Sequence, residues 1–320
     1  MAPSFRVPLH LEPYIRLPRD DSLLLLTSTL GASANWLTIL FLCDALRSTS
    51  STSSREEEED GGADPGHNVV LVSWMREYDF WKQEARKSGG IDLDGLKRQG
   101  RFIFVDGLRS PCVETTTTTG TSSRRGGGGG GAITTTLPSL LHPTHVQNTL
   151  TAVLSSPPLS PHRKSLLVLD NPDLLLALTP ALPSPPNNPS TTLPSLILKL
   201  HALPAVSHVL THIQADTPLL GLSTPPQPLQ VAQHNFLVKM AHMSRRIVGV
   251  RVLDTGVARD VSGVVRVTEM RMDWRGIGQL GEKEQREGAA GDGRGKEFLY
   301  QVKGDGSVRV FERGAAGEDG

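Results

Sequence analysis

Residues 22–46 read SLLLLTSTLGASANWLTILFLCDAL, and how this stretch is read decides the fold. The leucines 23–26 form a continuous aliphatic run, residues 27–35 are small and polar, and Trp36, Leu37 and Leu40 then recur at helical spacing as far as Leu46. A run that is apolar at every position marks a strand buried on both faces, and the change to a 3.6-residue period marks a helix behind it. The uncharged segment 22–43 also invites a rival reading as a signal peptide or membrane span, with Ala32-Ser33-Ala34 as the cleavage site. Against this, Arg6, Arg16 and Arg19 are offset by Glu12, Asp20 and Asp21, and two carboxylates abut the run. Eight of these 22 residues are Ser, Thr, Gly or Asn, too polar a middle for a span. The segment is therefore expected to be a first βα unit, with no membrane involvement.

Working outward, unalternating aliphatic runs recur at 69–73, 102–105, 166–169 and 206–213, with helical patterns at 75–87, 145–154 and 193–203 between them. This alternation predicts a doubly wound α/β domain with a mainly parallel sheet. After residue 228 the pattern changes. Pro228 opens a helix expected to reach Arg246, followed by period-two alternation at 248–252, 261–270, 298–302 and 308–311, with Asp305-Gly306 as a tight turn. Antiparallel strands with one wet face are expected to extend the parallel sheet.

The 320 residues allow one large domain or two ordinary ones; a single domain of 1–320 fits the continuous pattern. Hydrophobic residues make up 38%, and 32 Gly plus 23 Pro dilute the core with loops. Low-complexity insertions at about 48–66 (with the acidic run Glu56 to Asp60), 110–136, 180–195 and 278–296, and a tail at 314–320, bury too little apolar surface to offset chain entropy and are expected to be disordered. Lys+Arg 33 against Asp+Glu 33 gives zero formal charge, so a nucleic-acid partner would have to be met by a local patch. With Cys43 and Cys112 alone, a disulfide framework and a four-thiolate zinc site are excluded, and a reducing compartment fits.

A nucleotide-hydrolysing α/β domain would carry a Walker A loop after its first strand. Here that loop has one glycine, no Gly-Lys-Ser/Thr, and no lysine precedes Lys82. Asp170 closes the run 166–169 as a Walker B acid would, but Asn171-Pro172-Asp173 after it favours a helix or turn cap, leaving Asp170 as a degenerate metal-binding position. Gly276, Gly278 and Gly281 match a dinucleotide fingerprint by string only, since no amphipathic helix follows. Gly295-Lys296 fails as a phosphate loop because Glu297 stands at the Ser/Thr position. His208 and His212 have the spacing of a zinc helix without its glutamate, so no metal is expected. No nucleophile elbow or Cys/His pair is visible, so no catalytic residue and no cofactor are assigned. Lys239, Arg245, Arg246, Arg251, Arg259, Arg266 and Arg271 gather positive charge, either for phosphate or as a solvated face paired with Asp254, Asp260 and Glu269.

The blocks Val69-Val70-Leu71-Val72-Ser73, Glu77-Tyr78-Asp79-Phe80-Trp81-Lys82-Gln83-Glu84-Ala85-Arg86 and Gln99-Gly100-Arg101-Phe102-Ile103-Phe104-Val105-Asp106-Gly107-Leu108 resemble the fungal Elongator complex protein 6 family. So do Leu253-Asp254-Thr255-Gly256, the stretch from Ala258 to Thr268, and the closing stretch from Gly304 to Gly314. The resemblance implies a RecA-like fold without its phosphate loop. It also implies a heterohexameric ring with Elongator complex proteins 4 and 5, accessory to the catalytic subcomplex that modifies wobble uridine (U34) of tRNA. On that implication the chain is no enzyme, binds tRNA as a ring member, and works in the cytoplasm, with the nucleus as a second compartment. RecA-like rings carry nucleic acid on loops after central strands, here 106–145 and 214–227. Expected RNA contacts are Arg124, Arg125, Arg245, Arg246, Arg251 and Arg259. The rival readings are a degenerate P-loop ATPase acting alone, which would turn over nucleotide, and a scaffold that completes the ring without touching RNA.

Overall fold

The structure, a computed structural model, describes residues 7–46, 66–107, 135–136, 143–156, 159–178, 189–221, 223–256, 258, 260–270, 295–304 and 306–312. In chain order the strands are β1 Ser22–Ser28, β2 Asn68–Ser73, β3 Phe102–Asp106, β4 Thr135–Thr136, β5 Ser165–Asp170, β6 Val206–Gln214, β7 Arg246–Arg251, β8 Gly263–Glu269, β9 Lys296–Val302 and β10 Val308–Glu312. The helices are α1 Glu12–Ile15, α2 Asn35–Leu46, α3 Tyr78–Gly89, α4 Leu93–Arg98, α5 Pro143–Leu154, α6 Leu174–Leu178, α7 Pro189–His201, α8 Thr217–Leu220 and α9 Pro228–Met243.

All ten strands join one sheet in the order β10-β9-β8-β7-β1-β6-β5-β2-β3-β4. β7 to β4 run parallel and β8 to β10 antiparallel. Leu24 and Leu26 of β1 face one core with α2, α3 and α4. Leu23 and Leu25 face the other, formed with α5, α7 and α9. The aliphatic run lacks alternation because both faces of β1 are covered. Helix α2 is buried on nearly every side. Its Trp36 packs against Tyr300 with ring centroids 5.2 Å apart, so the antiparallel extension curls over the helix that follows β1.

Local chemistry sets the ends. Gly90 adopts φ 62° and its amide caps α3 on the Ala85 carbonyl, while the Asp92 side chain caps α4 at the Asp94 amide. Helix α9 stops at Met243, short of the expected Arg246, because Arg246 already pairs with Leu24 as the first residue of β7. Parts of the segments expected to be structureless carry regular structure. Helix α7 begins at Pro189, Thr135 and Thr136 pair with Val105 and Asp106, and Lys296 opens β9. Residues 47–65, 108–134, 179–188, 271–294 and 313–320 lie outside the described residues, as does Asp305 of the expected turn. The four short helices α1, α4, α6 and α8 had no expected counterpart. Among the described residues no helix is long and apolar enough to cross a membrane.

Candidate functional site

In an open parallel sheet, ligands sit beyond the C-terminal strand ends where the chain switches direction. Here that crevice lies between β1 and β6: α2 leaves β1 over one face, while α9 returns from β6 over the other. A nucleotide would need free amides in the loop 29–34 and at the start of α2. Three of these amides, those of Leu30, Ala32 and Asn35, are already bonded. The Leu30 amide donates to the Asp216 carboxylate and the Asn35 amide to Ser33 Oγ at 3.3 Å. Ala32 donates to the Thr29 carbonyl at 2.9 Å and Thr38 to that of Ala34 at 3.1 Å. Gly31, at φ 85°, makes the tight turn possible. The Asp216 carboxylate thus holds one amide of this loop, and its charge opposes a phosphate there.

Beside the crevice, four parallel strands carry polar residues in one lateral row: Asp106 pairs with Ser73, Ser73 with Asp170, and Asp170 with His212. Asp170 Oδ2 accepts from Ser73 Oγ at 2.7 Å, and Oδ1 accepts from His212 Nδ1 at 2.9 Å. His212 Nε2 lies 2.8 Å from Ser28 Oγ, which also donates to Gln214 Oε1 at 3.1 Å. The guanidinium of Arg76 stands 3.7 Å from Asp170. This has the atom order of a serine–histidine–aspartate relay. Ser28, His212 and Asp170 are nevertheless 2%, 1% and 0% exposed, and the Ser28 hydroxyl points at Gln214. The row is a polar peg through the sheet, which fixes the mutual register of β1, β6, β5 and β2.

The expectation that Asp170 caps a helix or turn is corrected, since its carboxylate is fully engaged across strands. The neighbouring Asp173 also bonds across elements, its Oδ2 accepting the Gln214 amide at 3.1 Å and Gln233 Nε2 at 2.9 Å. Burial pushes the Asp173 carboxyl above the ordinary aspartate range. The row went unread as a unit, but its signal was present. Four aliphatic runs each end on a polar residue, namely Ser28, Ser73, Asp106 and Asp170.

Of the expected RNA contacts, Arg124, Arg125 and Arg259 lie outside the described residues. Arg246 is corrected from a contact to a clamp: it is 7% exposed, pairs with Glu269 at 2.6 Å, and donates to the carbonyls of Tyr14 and Arg16 at 2.7 and 2.8 Å. Arg245 pairs with Asp20. Arg251 pairs with Asp254 at 2.7 Å and lies 3.7 Å from Glu297. The structure does not unite them, since Arg245 precedes β7, Arg246 starts it and Arg251 ends it. His208 and His212 also serve separate neighbours. His208 Nε2 donates to the Pro18 carbonyl at 3.0 Å and its ring meets His67 edge-on at 5.6 Å. Burial, with the nearby His67, lowers its pKa to about 4.

At the opposite, N-terminal edge lies a hollow of about 540 Å³ lined in part by Asn68, Ser155, Ser160, Arg163 and Lys164. Asn68 Nδ2 holds its rim through the carbonyls of Ser160 and Arg163, at 2.8 and 3.2 Å. Arg101, 8% exposed, stands close enough to Arg163 that burial and this second positive charge both lower its pKa.

No protein-family model matches the chain, and no curated protein matches it. Among solved structures it is similar to PH0321, an uncharacterized protein from Pyrococcus horikoshii crystallised in complex with an unknown peptide. The TM-score is 0.55 at 12% identity, covering 96% of this chain and 98% of that one. At such identity the likeness shows the fold alone. Together with the strand order, in which β6 lies between β1 and β5, it defines the class as a RecA-like α/β domain with an antiparallel extension.

Proposed function

We propose that this chain is a non-catalytic RecA-like subunit of Elongator. In this reading it completes a heterohexameric ring with Elongator complex proteins 4 and 5, and the ring holds tRNA for wobble-uridine modification by the catalytic subcomplex in the cytoplasm. The observation that supports the non-catalytic half is the partly occupied loop: the Leu30 amide is bonded to Asp216, and the neighbouring amides of Ala32 and Asn35 are spent within the loop. A RecA-like domain that cannot cradle phosphate keeps the shape of a ring member and loses the chemistry. The choice of Elongator rests on the ordered sequence blocks, which fall on the core: 69–73 is the body of β2, 77–86 is most of α3, and 99–108 spans β3.

The test is the native mass of the chain alone and after mixing with proteins 4 and 5. A discrete mixed hexamer that forms only when all three are present is the expected result. A chain that stays monomeric in the mixture, or that releases phosphate from ATP by itself, would overturn the proposal.

A further inference from the structure

The chain has no net charge, and several of its described acids stand at one end of the parallel strands. Asp216, Asp254 and Asp260 stand toward the C-terminal edge, above the buried Asp106, Asp170 and Asp173. At the N-terminal edge the carboxylates are already used: Asp20 by Arg245, Asp21 by Lys164, Glu12 by Arg16, and Glu269 by Arg246. Two arginines remain there without a carboxylate partner among the described residues, Arg19 and Arg163. The Lys164–Asp21 bridge brings their two segments together, Arg163 adjoining Lys164 and Arg19 lying two residues before Asp21. His162 is exposed on the same rim, and the hollow opens beneath Arg163.

We propose that this N-terminal rim, centred on Arg19 and Arg163 with Lys164 and His162 beside them, binds the phosphodiester backbone of RNA. The inference rests on the RNA-binding part of the proposed function, and it moves the contact to the edge opposite the loops where RecA-like rings are expected to carry nucleic acid. Two guanidiniums without carboxylates offer forked donors to phosphate oxygens, and the hydroxyls of Ser155 and Ser160 line the hollow below them. The C-terminal edge is the poorer host, since its exposed acids repel phosphate and Arg251 is held by Asp254.

The experiment measures binding of unmodified tRNA to the full-length chain by fluorescence anisotropy across a salt series, for wild type and Arg19→Glu/Arg163→Glu. The reversal leaves the Asn68 bonds in place, because those go to main-chain carbonyls. Circular dichroism and native mass check its fold, and Arg19→Gln/Arg163→Gln replaces it if the reversal unfolds. Expected is an affinity loss of about tenfold with a shallower salt dependence for the reversal. Unchanged affinity and salt slope in a folded reversal variant would overturn the rim, as would a wild-type chain that does not bind tRNA. If the reversal weakens tRNA binding while the wild-type chain joins no hexamer, the rim stands and the Elongator reading falls.

Discussion

His208 shows how a single buried side chain couples the fold to pH. Its pKa of about 4, against an ordinary value of 6.5, means that the folded chain keeps the ring neutral where the unfolded chain protonates it. The unfolded state therefore binds more protons between these values, so the contribution of His208 is complete above about pH 6.5 and is lost as pH falls toward 4, by up to roughly 3 kcal/mol. Urea unfolding at pH 7 and pH 5 should show a smaller stability loss for His208→Gln than for wild type, because the amide can still donate to the Pro18 carbonyl and does not titrate. At Asp170 the concern is bonding. Asp170→Ala leaves Ser73 and His212 without their buried acceptor and should cost about 3 kcal/mol in denaturant unfolding.

Elements are joined by clamps whose loss reads as stability. Arg246 ties β7 to Glu269 on β8 and to the carbonyls of Tyr14 and Arg16 around α1. Arg246→Ala should lower unfolding free energy by roughly 2 to 3 kcal/mol. The folded variant should keep wild-type tRNA affinity, which separates a clamp from an RNA contact. The antiparallel extension has its own tight point at Gly263. A Cβ there would lie 2.3 Å from the Arg251 carbonyl oxygen and 2.8 Å from the Tyr300 ring. Gly263→Ala therefore forces β7, β8 and β9 apart and should destabilise by about 1 to 3 kcal/mol, measured as a lowered Tm.

Across the whole molecule, the partly occupied loop predicts that no single repair restores hydrolysis. Asp216→Ala frees the Leu30 amide, but the loop still lacks a lysine to reach the phosphates. Phosphate release from ATP should stay at background for wild type and variant alike; turnover in either would mean that the loop 29–34 opens.

The sequence by itself determined the layers. Aliphatic runs without alternation required strands covered on both faces, the switch to period two after residue 228 required strands with one wet face, and the missing Gly-Lys-Ser/Thr left no lysine for phosphate. Those are local properties of spacing and residue type. Partnership across strands was decided only in three dimensions. Ser28, Ser73, Asp170 and His212 are far apart in the chain and meet because β6 inserts between β1 and β5, an order that no local pattern encodes. Arg246 looked like its neighbours in a basic cluster until the fold turned it inward onto Tyr14, Arg16 and Glu269, whereas Arg163, unremarked in the sequence, stands free on the rim because the nearby carboxylates are held by other cations. An ion pair or hydrogen bond is a distance, and a distance between remote residues exists only once the sheet has set its strand order and register.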